Sequence, residues 1–282
     1  MSKGLGDSTL TTYTASDGDN LAVQDWPAGE ATGERGVVLL VHGLGEHAGR
    51  YDPLAQRLNS WGFAVRGYDQ YGHGESDGVR GALPREARLI DDLTDVISST
   101  RKRMQGAPLI LLGHSMGGLV AALLVALERV PVEGLVLSSP AFAVRLNPAQ
   151  KVLLRALPRF APHFTTSNGL DPNFLSHDYA VVAAYATDRL VHDRLSARLA
   201  AFIAESGPKL VSQAPQWKVP TLLLYAGDDK LVDPEGSRAF AEKAPKQVVS
   251  SHCFPRLFHE IFNESDSEPV FQALKQWLDE RF

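Results

Sequence analysis

Apolar residues along the chain fall into two kinds of stretch that take turns. Residues 36–41 form an uninterrupted apolar run with no polar alternation, as expected of a strand covered on both faces of a parallel sheet. Residues 63–68, 108–112, 132–137 and 221–225 read as strands too, and a further strand is expected near residues 247–254. Between them, residues 50–60, 86–103, 119–127, 234–244 and 269–281 carry helical patterns. Ahead of these elements, residues 9–14 and 20–26 are rich in β-formers and flank the turn dipeptide Asp17-Gly18, which predicts an antiparallel hairpin. Strands alternating with helices argue for an α/β fold on a mostly parallel sheet.

The alternation stops between residues 139 and 216. Helical patterns at 149–157, 178–186 and 196–206 are punctuated by prolines at 140, 148, 158, 162, 172, 208 and 215, with no clean strand among them. The expected organisation is therefore a core of residues 1–138 and 217–282 with a helical cap, residues 139–216, inserted in it.

One junction organises the rest. The apolar run 108–112 leads into Gly113-His-Ser115-Met-Gly117-Gly118 and then directly into the helix formers 119–127. A sharp strand-to-helix turn crowds the residues two before and two after its apex, so glycines there let the backbone close while the apex residue takes a strained positive φ. Such an elbow holds the Ser115 hydroxyl out of the sheet and sets the Met116 N–H at the positive end of a helix. The competing reading is a strand-helix junction merely tightened by glycine.

A serine nucleophile needs a base within reach and a group that orients the base. Ligand sites in a doubly wound sheet lie at the C-terminal ends of strands, and of the nine histidines His42, His73, His114 and His259 fall at such positions. His259 follows the last strand and completes the order Ser, acid, His; its rival His252 lies inside that strand. The loop after residue 225 supplies the acid: Asp229 is chosen over its neighbour Asp228 and over Asp233, which precedes Pro234 and suits a helix N-cap. Two N–H donors must face the oxyanion, and Leu44, in the glycine loop 42–45, is placed to supply the one that Met116 does not. The same loop, with Gly43, Gly45 and Gly49 after a strand and Asp69 ending the next, also resembles a loosened dinucleotide fingerprint. Its spacing departs from that motif, and Glu46 would stand beside the pyrophosphate.

Composition changes this picture little. The chain has 282 residues, 44% hydrophobic and 22% charged, with a net charge of −5; that balance gives no basic face for nucleic acid. A single cysteine, Cys253, allows no intrachain disulfide, and zinc-type spacings are absent. Asp91, Asp92 and Asp95 read as a solvated helix face rather than a metal site, since no other ligand type converges on them. Residues 1–20 lack the pattern of a secretory signal, and the longest apolar run, 119–127, is too short to span a bilayer. The expectation is a soluble, cytoplasmic protein, with peripheral membrane contact left open.

The assembled residues resemble the monoacylglycerol lipase and lysophospholipase group of the α/β-hydrolase superfamily. The segments that carry the resemblance are residues 42–51, 69–76, 113–118, 229–233 and 258–264. The resemblance implies an α/β-hydrolase fold, Ser115, Asp229 and His259 as the triad, and Leu44 and Met116 as oxyanion donors. It also implies Glu46 and Arg50 near the glycerol end of the substrate, and a mobile cap over residues 139–216. The implied reaction is hydrolysis of a monoacylglycerol to glycerol and fatty acid through an acyl-enzyme, with no metal or organic cofactor. The partner would be a small-molecule lipid ester, with transient membrane-surface contact through the cap. Val152, Leu153, Leu154, Ala156, Leu157, Phe160 and Phe164 offer the apolar surface for that contact, or else bury it on the sheet. Lysophospholipase and general carboxylesterase activity remain alternatives, as does a hydrolase fold kept as a binding protein; an epoxide hydrolase or dehalogenase would carry Asp, not Ser, at position 115.

Overall fold

The computed structural model describes residues 8–28 and 35–282; of the N-terminal stretch read above for a signal, residues 1–7 lie outside the described residues. Its strands are β1 (Thr9–Thr14), β2 (Asn20–Trp26), β3 (Gly36–Val41), β4 (Phe63–Tyr68), β5 (Leu109–His114), β6 (Gly134–Ser138), β7 (Thr165–Ser167), β8 (Arg194–Ser196), β9 (Thr221–Ala226) and β10 (Val249–Phe254). Eight of them form one sheet in the order β1-β2-β4-β3-β5-β6-β9-β10. β1 and β2 pair antiparallel across the turn at Gly18 (φ 97°), β2 joins β4 antiparallel, and every other pair in the sheet is parallel.

The helices are α1 (Asp52–Ser60), α2 (Arg88–Arg103), α3 (Met116–Ala126), α4 (Pro148–Phe160), α5 (Tyr179–Thr187), α6 (Ala197–Gln213), α7 (Pro234–Lys243) and α8 (Glu268–Asp279). Side chains alternate across a strand, so each central strand feeds two cores. In β5, Leu109 and Leu111 join the face covered by α2, α3, α6 and α7, while Ile110 and Leu112 join the face covered by α1 and α8. All four are buried, each worth about 1.5–3 kcal/mol relative to exposure. The chain steps from β3 to β4 on one side and then to β5 on the other, so the loops after β3 and β5 diverge and leave a crevice between them.

Three expectations need correction. The insert contains a short antiparallel ribbon, β7 with β8, where no strand was predicted; three-residue strands carry too little periodicity to register. Pro158 and Pro208 lie inside α4 and α6 instead of separating them. α6 continues through Pro208 because Leu199, Ile203, Leu210 and Val211 are buried against the core, which offsets a proline cost of about 3 kcal/mol. Finally, Asp92 does not face solvent: it is buried and bonds Arg88 Nε at 2.8 Å, while Asp95 accepts the Ser16 N–H and Asp91 pairs with Arg85 and Arg129.

Candidate active site

The elbow between β5 and α3 has the geometry its glycines predict. Ser115 adopts φ 52°, ψ −120°, a left-handed φ that a non-glycine residue holds only under constraint. A Cβ on Gly117 would lie 2.1 Å from the Val41 carbonyl oxygen, and one on Gly113 would lie 2.6 Å from the Gly117 oxygen. The turn is tied to the sheet by Ser115 N–H donating to Ser138 O at 3.0 Å, and its carbonyl accepts Leu119 and Ala141 N–H groups. Met116 opens α3, so its N–H has no intrahelical partner.

The loops after β9 and β10 bring Asp229 and His259 together. His259 Nδ1 lies 2.7 Å from Asp229 Oδ2, and Asp229 Oδ1 accepts the Leu231 and Val232 N–H groups at 2.9 and 3.0 Å. Burial alone would lower the His259 pKa, but the charge and hydrogen bond of Asp229, with Glu260 and Glu46 behind it, raise it above the ordinary histidine value. Burial of Asp229 is likewise outweighed by His259 and the two backbone donors, and its pKa is lowered. Among the described hydrogen bonds none joins Ser115 Oγ to His259; the two residues share the walls of the same cavities.

The competing residues take other parts. Asp228 is half-buried and pairs with Lys230, and Asp233 caps α7 through the Glu235 N–H at 3.3 Å. His252 lies inside the edge strand β10, as expected, and is exposed there. His42 Nδ1 faces the Gly43 carbonyl while its Nε2 accepts the Gln70 N–H. His114 meets Ser138 Oγ at 3.1 Å, its ring 4.6 Å from that of His259, and burial with the nearby His259 lowers its pKa to about 4. Asp69, the acid of the dinucleotide alternative, is spent on the Ala48 and Glu75 N–H groups. Gly45 is packed under the His192 carbonyl, which a Cβ would approach to 2.4 Å.

Glu46 and Arg50 form a buried cluster beside the elbow. Glu46 Oε1 accepts the Gly43 N–H at 2.6 Å and the Tyr51 hydroxyl at 2.7 Å, while Oε2 meets Arg50 Nη1 at 2.5 Å. Arg50 also grips Glu260 with both terminal nitrogens, at 2.7 and 2.9 Å, and lies 4.7 Å from the Tyr185 ring centroid. Burial works against ionising Glu46, yet Arg50, His114, His42 and the Tyr51 hydroxyl bring its pKa down to about 2. Tyr185 goes the other way, pushed up to about 12 by burial and by Glu46. Glu260 and Tyr185 were not singled out from the sequence. Adjacency to His259 was the available signal for Glu260; Tyr185 arrives from the insert with no local mark.

Two cavities meet at Ser115 and His259. A small recess is walled by Glu46, Tyr185 and Glu260 together with Leu44, Pro172, Leu175 and Leu231. On the other side a chamber of about 450 Å³ takes in Leu44, Met116, Val144, Leu154, Ile203 and Leu231. A larger cavity of about 630 Å³ between α4 and α6 includes none of Ser115, Asp229 or His259.

A serine on a strand-to-helix elbow with a histidine–carboxylate pair behind it, at the C-terminal ends of a mostly parallel sheet, defines a serine-type α/β-hydrolase. The chain belongs to the family described as serine aminopeptidase, S33, which matches residues 32–266. It is 33% identical over 250 residues to the monoacylglycerol lipase of Mycolicibacterium smegmatis, covering 88% of this chain and 89% of the relative. It is 32% identical to the phospholipase YtpA of Bacillus subtilis, covering 86% and 95%. An uncharacterized abhydrolase domain-containing protein of Dictyostelium discoideum is 32% identical over 97% of this chain, but the chain spans only 29% of that longer relative. Among solved structures, the Paleococcus ferrophilus monoacylglycerol lipase superposes with a TM-score of 0.81 at 32% identity, covering 98% of this chain and all of the other.

Proposed function

We propose that the protein hydrolyses monoacylglycerols to glycerol and free fatty acid through an acyl-enzyme on Ser115. It is a carboxylic ester hydrolase in this reading, and the single observation that carries it is the two-sided site. The His259–Asp229 pair and Ser115 sit where a chamber of about 450 Å³, walled largely by aliphatic side chains, meets a small recess that holds the Glu46 and Glu260 carboxylates and the Tyr185 ring, an arrangement that suits an ester with one long apolar and one short hydroxylated arm.

His259 accepts the Ser115 proton as Oγ adds to the ester carbonyl, and Asp229 holds the imidazole tautomer and stabilises the imidazolium. The Leu44 and Met116 N–H groups receive the oxyanion, each worth roughly 3 to 4 kcal/mol of barrier. The imidazolium then protonates the leaving glycerol oxygen as the tetrahedral species collapses. Water, deprotonated by the now neutral His259, attacks the acyl-enzyme and releases the fatty acid, returning the proton to Ser115.

Glu46 lines the glycerol end in this reading, while Arg50 does not wall the recess itself but stands behind it, paired with Glu46 and Glu260. One arginine stands between the two carboxylates Glu46 and Glu260, so the cluster keeps one negative charge in excess, which suits neutral hydroxyls better than an anion. A phosphodiester placed there would meet Glu46 and Glu260 with only a shared cation to offset them, so the recess favours monoacylglycerol over lysophospholipid. Contact with a lipid surface belongs to the same reading: Val152, Leu153 and Phe160 of α4, with Phe164, stand 54–86% exposed instead of burying on the sheet.

The test is hydrolysis of long-chain monoacylglycerol beside di- and triacylglycerol, lysophosphatidylcholine and an aminoacyl arylamide, for wild type and Ser115→Ala in parallel. Wild-type preference for monoacylglycerol, lost in the variant, supports the proposal. Preference for lysophosphatidylcholine or the arylamide would replace the substrate, and cleavage of short activated esters alone would leave a general carboxylesterase. A folded protein that cleaves nothing would be a binding module.

A further inference from the structure

Glu264 lies outside both cavities yet is buried, its side chain only 1% exposed. A buried carboxylate is costly unless donors surround it, and the donors here come from two distant parts of the chain. Oε1 accepts the N–H of Phe258, the residue before His259, at 2.6 Å, and faces His177 Nδ1 at 2.8 Å. Oε2 accepts the backbone N–H of His177 at 3.0 Å and lies 3.4 Å from Ser176 Oγ. One carboxylate thus closes the loop from Phe258 to Glu264 on itself and fastens that loop to the insert.

Other contacts follow the same line. His259 N–H donates to Phe174 O at 3.4 Å and Glu260 N–H to Leu175 O at 2.8 Å. Ser176 Oγ donates to Asn263 O at 2.9 Å. The His177 ring stacks on Phe258 at 3.7 Å, and Phe258 meets Phe174 edge-on at 5.8 Å. The insert segment bound in this way also walls the site, through Pro172, Phe174 and Leu175.

We propose that Glu264 is a positioning residue for His259: its two oxygens, each taking a backbone N–H from a different side, fix the loop that carries the imidazole against the insert wall of the pocket. This rests on the reading of His259 as the general base. Asp229 orients the ring from one side, and Glu264 sets the backbone from which the ring projects. It never touches substrate, so it acts through the groups it holds in place, His259 first among them.

Glu264→Gln is the discriminating change, because a carboxamide has one acceptor oxygen and must turn its NH₂ toward one of the two N–H groups. With a p-nitrophenyl ester as probe, kcat is expected to fall about 10- to 100-fold, the size of effect that a misplacement near 1 Å produces, with KM close to wild type. In a His259→Ala background the same change is expected to have no further effect on residual hydrolysis, since residues acting as a unit are not additive. Folded Glu264→Gln protein with wild-type kcat would overturn the proposal, as would a loss that persists undiminished in the His259→Ala background. Should Glu264→Gln fail to fold, Glu264→Asp decides: it keeps both acceptor oxygens but is one methylene too short to hold the Phe258 and His177 N–H groups together. A fall in kcat at unchanged KM supports the positioning role, and an unchanged kcat overturns it. A wild type inactive on every ester would remove the triad reading instead, and the proposal with it.

Discussion

The Glu46 carboxylate accepts the Gly43 N–H at 2.6 Å, so the first amide after His42 is bound to protein and not offered to a substrate. The following amide, that of Leu44, is the one left for an oxyanion in the proposed mechanism. Glu46 therefore acts on the loop's shape as well as on the recess. Glu46→Gln cannot serve Gly43, Tyr51 and Arg50 together. It is expected to cost about 1–3 kcal/mol of stability, seen in urea unfolding, and to lower kcat more than it raises KM. Unchanged unfolding and kcat would show that the loop holds its shape without the carboxylate.

Ser115→Ala and His259→Ala should each remove activity by about 10⁴-fold or more while leaving the melting transition near wild type. Near-wild-type turnover in either folded variant would sink the assignment.

The pH dependence has a definite sign. Only neutral His259 can take the Ser115 proton, and Asp229, Glu260 and Glu46 raise its pKa above the ordinary histidine value in spite of burial. The acid limb of kcat/KM is expected above that value, and activity falls as pH drops through it. Because the folded pKa is raised, the protonated imidazole also adds stability below the unfolded value, which is lost as pH rises through the folded one. Asp229→Asn should move the limb to lower pH and cut kcat. A limb unmoved by Asp229→Asn would mean that another group titrates.

Gly117→Ala tests the elbow's crowding. The added Cβ would lie 2.1 Å from Val41 O and 2.3 Å from His42 O, backbone atoms at the centre of the sheet, so loss of soluble protein or of more than about 3 kcal/mol is expected. Gly106→Ala is the contrast: no atom lies within 4 Å of its Cβ, though φ is +82°, so only a backbone strain of about 1–2 kcal/mol remains. Chemical denaturation of both variants measures the difference.

The apolar surface of α4 predicts binding to phospholipid vesicles that falls when Val152 and Phe160, 67% and 86% exposed, are both changed to Glu. Hydrolysis of a short soluble ester should be unaffected. Wild-type protein that fails to float with vesicles would dismiss the lipid-surface contact.

What the sequence determined by itself was local. Runs such as residues 36–41 and 108–112 set the strands because burial on two faces demands apolar residues throughout, and Gly113 and Gly117 marked the elbow because its crowding acts within five consecutive positions. Strand-end placement left four histidines and three aspartates, and chain order with the cap position of Asp233 pointed to His259 and Asp229, which lie 2.7 Å apart. The tertiary structure alone decided what depends on distant partners. Glu260 meets Arg50 across 210 positions, Tyr185 reaches Arg50 from the insert, and Glu264 meets His177 across 87. Pro208 stays within a helix, and Asp92 goes inside with Arg88, for the same reason. Periodicity and propensity describe a residue's neighbours along the chain, whereas the energy of a buried charge or a tolerated proline is set by whatever the fold packs against it.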